Sequence, residues 1–162
     1  MLVDPNEPRR VKILIIGHPG AGKTNIMLRY FKNTFDEEYK PTSGSHVANR
    51  NFNYRKTKLD VEVLEIGGGS INALIPQTFH GTRMADVGAA GLVFCFDCSD
   101  RKSFGALDEW IDKTEQFLDV KGLVGILAAT KNDRERVVTE EEAKNFARMK
   151  KLVRLFDFLD IL

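Results

Sequence analysis

A strand-like apolar run followed at once by a glycine loop ending in Gly-Lys-Thr constrains this chain more than any other feature. Val11-Lys12-Ile13-Leu14-Ile15-Ile16 is short and β-branched, which suits a buried strand. Directly after it, Gly17-His18-Pro19-Gly20-Ala21-Gly22-Lys23-Thr24 reads G-x-x-x-x-G-K-[ST]. Asn25-Ile26-Met27-Leu28-Arg29-Tyr30-Phe31 then carries apolar residues at helical spacing. Strand, loop and helix in that order are the setting in which such a loop cradles phosphate. Glycines let the main chain wrap closely, and inward-pointing amides together with the positive end of the helix attract the oxygens. The motif positions Lys23 to bridge outer phosphates and the Thr24 hydroxyl to ligate Mg²⁺. The expected ligand is therefore a nucleotide, lined by Gly17, Gly20, Ala21, Gly22, Lys23, Thr24 and Asn25.

The balance of charges narrows the partners. The 162 residues suit one domain, with 43% hydrophobic residues, 29% charged residues and a net charge of +1. That composition argues against wrapping nucleic acid or holding an anionic membrane through charge alone. No apolar stretch approaches the ~20 residues of a membrane span, and the first residues lack the order of a signal peptide. A cytoplasmic address is the expectation. Cys95-Phe96-Asp97-Cys98 closes an apolar strand rather than opening a helix, and His18, His46 and His80 lie far from it. Thiols buried at a strand end are the reading favoured over a redox or zinc site.

Strand and helix patterns alternate along nearly the whole chain. Strands are expected at 11–16, 47–54, 59–66, 91–97, 123–129 and 152–158, and helices at 23–32, within 71–87, at 103–118 and at 139–150. This alternation predicts an α/β fold, a doubly wound, mainly parallel six-stranded sheet with helices on both faces. The segment from Arg50 to Lys58 reads as a hairpin joining an edge strand to its neighbour. Residues 1–10 are expected to be an N-terminal extension and 11–162 the domain. The apolar end Leu159-Asp160-Ile161-Leu162 follows the last strand pattern with no helix after it. A truncated domain, or a partner or another copy of the chain covering that apolar face, is the expectation.

Further along, Phe35-Asp36-Glu37-Glu38-Tyr39-Lys40-Pro41-Thr42 resembles the first switch segment of Ras-superfamily small GTPases, P-loop proteins, and most closely of their Rab branch. Nineteen positions separate Lys23 from Thr42, as in that family. The resemblance runs from about Val11 to Phe158. It implies that Phe35 packs on a guanine ring, that Tyr39 lies over the phosphates, and that Thr42 completes the Mg²⁺ shell and contacts the γ-phosphate. Ala129-Thr130-Lys131-Asn132-Asp133 is similar to the family's N-K-x-D motif, with Thr130 in place of asparagine. Asp133 in that position implies acceptance from the guanine N1–H and 2-amino groups, with the Lys131 stem along the base. The stretch from Asp97 to Phe104 and the one from Arg136 to Ala143 resemble family scaffold segments, and Thr139 reads as a helix N-cap.

The family's D-x-x-G-Q-E aligns with Glu65-Ile66-Gly67-Gly68-Gly69-Ser70. Glu65 then stands where an aspartate holds Mg²⁺ through water, and Gly68 keeps the glycine that meets the γ-phosphate. Gly69 replaces the glutamine that orients the attacking water, which implies slow hydrolysis with binding spared. The resemblance makes Lys23, Thr42 and Gly68 the groups acting on the transferred phosphoryl, and Thr24, Thr42 and Glu65 the metal set. Ile71 to Val87 is roughly six residues longer than the usual second switch. Its Arg83 reads as a surface arginine before it reads as a finger in cis. Neither a base-supporting loop near Asp157 to Asp160 nor a prenylated cysteine tail is recognisable. The expected function is an atypical Rab-like protein binding GTP and GDP with Mg²⁺, hydrolysing slowly, and signalling or trafficking through protein effectors or regulators. A nucleotide-locked or nucleotide-free structural subunit of a larger assembly is the alternative. An ATP-using small kinase would need an arginine-rich lid, which the sequence does not offer.

Overall fold

The structure, a computed structural model, describes residues 8–67, 89–117, 123–152 and 154–157. Elements run β1 (Arg9–Gly17), α1 (Lys23–Lys32), β2 (Ser45–Tyr54), β3 (Thr57–Ile66), β4 (Ala89–Asp97), α2 (Arg101–Gly105), α3 (Leu107–Phe117), β5 (Val124–Thr130), α4 (Glu140–Met149) and β6 (Arg154–Asp157). They form one six-stranded sheet in the order β2-β3-β1-β4-β5-β6. β2 pairs antiparallel with β3, and the other pairings are parallel. This is the mainly parallel α/β sheet that the alternation predicts, with the glycine loop after its first strand.

The apolar run of β1 is buried because both sheet faces are covered. Leu14 and Ile16 point into one cluster with Leu64, Phe94, Phe96 and Leu127, closed by Leu107, Trp110 and Ile111 of α3 and by Ala143, Phe146 and Ala147 of α4. Ile15, one residue out of phase, joins Val61, Val63, Cys95 and Ala128 on the opposite face, under Met27 of α1. Phe104 bridges the first cluster, with its ring 5.0 Å from that of Phe96 and 5.3 Å from that of Phe146. The strand-end thiols are free and buried, and burial pushes the Cys95 thiol up to about 12.

Several boundaries differ from the sequence reading for local reasons. The strand begins at Arg9, inside the stretch expected to be an extension, because Arg9 and Arg10 pair with Leu59 and Asp60. The helix expected at 103–118 starts at Arg101, since Asp100 is its N-cap and accepts from the Lys102 N–H, and it breaks at Ala106 into two pieces. Leu152 was expected to open the last strand. Instead its N–H bonds the Ala147 carbonyl at 2.9 Å, wrapping the end of α4, while its side chain covers Gly125 on β5. β6 itself is confined to Arg154–Asp157. The expected hairpin is present, with Arg55 at φ 55 in its tip, and Thr139 caps α4 in a full capping box with Glu142. The helix expected within 71–87 and the apolar end at 159–162 lie outside the described residues.

Candidate functional site

The carboxyl ends of β1 and β3, the glycine loop and the segment after α1 meet at one edge of the sheet. Gly17 ends β1 at φ 154, and a Cβ there would run into the Cys95 carbonyl of β4, so only glycine lets the loop leave the sheet here. Gly22 takes φ 78 as the N-cap of α1 and lies 3.3 Å, measured from an ideal Cβ, against Thr130. With Gly20 also at positive φ and Ala21 fully buried, the loop folds back on itself: the Ala21 N–H reaches the His18 carbonyl at 3.1 Å. Lys23 is 4% exposed, and its Nζ donates to the carbonyls of Gly17 and His18 at 2.8 and 2.9 Å. Burial holds its ammonium below the ordinary lysine value, with Cys95 and Glu65 pulling the other way. A cation is thus fixed at the mouth of the loop.

The three residues expected to hold a metal converge. Thr24 at the start of α1 places its hydroxyl 2.9 Å from that of Thr42 and 2.6 Å from Glu65 Oε1 at the end of β3. Glu65 is 1% exposed, and its second oxygen, Oε2, is buried without a hydrogen-bond partner among the described residues. An orphaned carboxylate oxygen beside two hydroxyls is a set of hard oxygen donors, which fits Mg²⁺. His46 of β2, in register opposite Glu65, brings Nδ1 to 3.7 Å from Oε2, a neighbour that sequence reasoning missed.

The segment carrying Phe35, Tyr39 and Thr42 is pinned at both ends. Asn25 and Asp36 exchange two hydrogen bonds at 2.9 Å, side-chain amide to backbone carbonyl and backbone N–H to amide oxygen. At the other end the Gly67 N–H donates to the Gly44 carbonyl at 2.9 Å. Between the pins Tyr39 lies against the loop, its Cε2 3.9 Å from an ideal Cβ on Gly20. Phe35 and Tyr39 remain 65% and 61% exposed, so both rings are available to a ligand. Gly68, Gly69 and Arg83 lie outside the described residues.

On the base side the structure gives Thr130 two partners and adds Asp97 to the residues read from the sequence. The Thr130 hydroxyl is buried and donates to the carbonyls of Ala21 and Phe96 at 2.9 and 3.0 Å. It ties the glycine loop to the sheet. Lys131 follows at φ 58 and is held by Asp97, whose Oδ2 lies 2.7 Å from its Nζ. Burial alone would raise the Asp97 carboxyl, but hydrogen bonds from Lys131 and Ser99 outweigh it and hold the group below its ordinary value. Asp133 is exposed on the turn after Lys131. That loop is secured further by the Cys98 carbonyl, which accepts from the N–H groups of Val137 and Val138, and by Arg101, which pairs with Glu142 at 2.6 Å. Asp97 was readable only as scaffold in the sequence, since nothing local signals its distant lysine.

Comparison with known proteins agrees with this geometry. The family model described as Ras family matches residues 12–158. The Ras-related protein Rab-18 of Lymnaea stagnalis is 31% identical over 140 residues, covering 85% of this chain and 66% of its own length. Rab-18 of Caenorhabditis elegans is 29% identical with the same coverage, and RabC of Dictyostelium discoideum is 28% identical over 84% of this chain and 68% of its own length. The match therefore spans about two thirds of these relatives. A phosphate loop, a switch-like segment and a family match over most of the chain meet in one conclusion: this chain belongs to the Ras family, as a Rab-like small GTPase.

Proposed function

We propose that the chain is a guanine-nucleotide switch that binds GTP and GDP with Mg²⁺, hydrolyses GTP slowly, and acts in membrane trafficking through protein effectors or regulators. The convergence of Thr24, Thr42 and buried Glu65 beside the ammonium of Lys23 carries this reading. Thr24, Thr42 and Glu65 would hold the cation, and bound there it would neutralise charge between the β- and γ-phosphates. Lys23 and the loop amides bind the phosphate chain, and Thr42 reports the third phosphate by holding its segment in place. Phe35, Lys131 and Asp133 form the base side, with Asp97 orienting the lysine. Gly68 is proposed to meet the γ-phosphate. With Gly69 in the glutamine position, water is left unoriented and turnover is slow. Among the described residues no helix is long and apolar enough to cross a membrane, and a cytoplasmic protein meeting membranes peripherally through partners is the location proposed.

Calorimetric titration of the purified chain with GDP, GTP and ATP in Mg²⁺ tests the reading. Binding of both guanine nucleotides, little binding of ATP, and loss of binding in Lys23→Ala and Asp133→Ala are expected. Flat traces for GDP and GTP would remove the nucleotide role and favour a structural subunit. Rapid unaided hydrolysis would contradict the part given to Gly69.

A further inference from the structure

We propose that the end of the sheet where β1 and β3 begin, capped by the β2–β3 hairpin, docks this chain directly on an anionic lipid membrane. The overall charge of +1 conceals a segregation. Residues 8–10 and 51–60 hold five basic side chains, Arg9, Arg10, Arg55, Lys56 and Lys58, against one acidic side chain, Asp60. All five basic residues are exposed, and among the described residues none of them is in an ion pair. The other end, where β1 and β3 finish beside the glycine loop, carries Asp36, Glu37 and Glu38 instead. With nine residues in β1, the two ends stand roughly 30 Å apart. This surface is therefore independent of the nucleotide site.

The basic groups surround the strand ends rather than lining one face. Arg9 is in register with Leu59 and Arg10 with Asp60, so the two arginines start from opposite faces. Arg55 and Lys56 form the turn beyond the last hairpin pair, Tyr54 and Thr57. A strand or groove partner would meet one face, whereas a flat charged surface lying across the strand ends meets both. The hairpin also protrudes. Thr57 lies two residues beyond Leu59, the register partner of Arg9, which carries the tip roughly 7 Å past the arginines. Phe52 and Tyr54 share one face of it and are 38% and 58% exposed, and Arg55 lies over the Tyr54 ring at 5.5 Å. Rings of this kind suit the membrane interface, and apolar groups enter it by about 5–10 Å, a depth the tip can reach. Charge alone would not hold so nearly neutral a chain, but charge gathered at one end with rings to insert does. A hollow of about 220 Å³ beside Lys58, lined also by Pro8, Phe52 and Leu59, leaves room for a headgroup between the hairpin and β1. In this pose the glycine loop and the Thr42 segment face away from the bilayer, open to partners.

Co-sedimentation of the full chain with vesicles of phosphatidylcholine alone, or with about 30% phosphatidylserine, decides the matter. Binding should require the anionic lipid and weaken between about 0.1 M and about 0.5 M salt. One basic residue near such a surface strengthens binding about fivefold, so the double variant Arg55→Glu with Lys56→Glu should lose at least about tenfold. Tyr54→Ala, at unchanged charge, should lose about threefold. Lys102→Glu, a charge reversal on α2, should stay within about twofold of the native chain. All the variants should unfold in urea at the native midpoint, since the altered side chains are exposed. Equal binding to both vesicle types would overturn the proposal, as would charged vesicles held equally by the native chain and the double variant. Duplex DNA bound more tightly than the charged vesicles, with the same dependence on Arg55 and Lys56, would assign the surface to nucleic acid and overturn it too. Titration of the same samples with GDP and GTP keeps the two readings apart. Vesicle binding by a chain that takes neither nucleotide would uphold this surface and remove the switch; nucleotide binding by a chain that ignores charged vesicles would do the reverse.

Discussion

Replacing Asp97 should uncouple the base-side loop from the sheet. Its carboxylate, 8% exposed, accepts from Lys131 Nζ at 2.7 Å, from the Ser99 N–H at 2.8 Å and from the Ser99 hydroxyl at 2.6 Å. A hydrogen bond to a charged group contributes about 1.5–3 kcal/mol. Lys131 is 28% exposed and can turn its ammonium toward water, so its share sits near the lower end of that range. Asp97→Asn keeps an acceptor for Ser99 but loses the charge, and should cost about 1–2 kcal/mol of stability. Asp97→Ala also strands the Ser99 N–H and should cost about 3 kcal/mol. A double-mutant cycle with Lys131→Met, followed by urea unfolding at neutral pH, should return a coupling of about 1–2 kcal/mol. The sign of the pH dependence follows from the lowered carboxyl. The stabilisation is present in full above the unfolded value of about 3.9 and is lost as pH falls through the lower folded value. The gap between the native protein and Asp97→Asn should therefore close only in acid. A coupling under about 0.3 kcal/mol, or a gap that ignores acid, would refute the role given to this residue.

Three further outcomes are expected. Gly17→Ala drives a methyl into the Cys95 carbonyl at a left-handed backbone position and should destabilise the fold by at least about 2 kcal/mol in urea unfolding; a stable variant would mean that β1 and β4 separate easily. Thr139→Ala removes both hydrogen bonds of the hydroxyl to Glu142, and about 1 kcal/mol of stability should go with the cap. Glu142 should titrate near 2 by carbon NMR, because Arg101 and then the Thr139 N–H hydrogen-bond its ionised form. Arg101→Ala should move it back toward about 4.3, so the helix-end contact persists to strongly acid pH and is lost only as pH falls through that low value.

Local signals carried most of the fold. The apolar run of β1, the loop glycines and the capping box at Thr139 each announce an element within a few residues, and those elements formed where expected. Leu152 misled because an apolar residue before a strand looks like part of it, whereas tertiary packing uses it to cover Gly125 and close a helix end. The candidate site divides in the same way. Lys23, Thr24, Thr42 and Glu65 lie in recognisable stretches and do meet. The Asp97–Lys131 pair and the His46–Glu65 facing depend on strand order and hairpin register, which one sequence does not state. The bonds of the buried Thr130 hydroxyl to the Ala21 and Phe96 carbonyls likewise depend on how the glycine loop packs on the sheet.

The fastening of residues 37–43 between Asn25 and Gly67 has a mechanical consequence. A strap anchored at both ends, and held at Thr42 by the Thr24 hydroxyl, cannot peel away progressively; it must first release Thr42 and then bow outward or let go of an anchor. Seven residues reach at most about 24 Å when taut, so the bowed excursion has a ceiling. The Asn25 anchor lies near water, where its broken bonds are readily replaced, while the Gly67 anchor joins two main chains at a strand end. A protein that pries this doorway open would therefore work at the asparagine jamb, and Asn25→Ala should loosen the hinge without disturbing the sheet behind it.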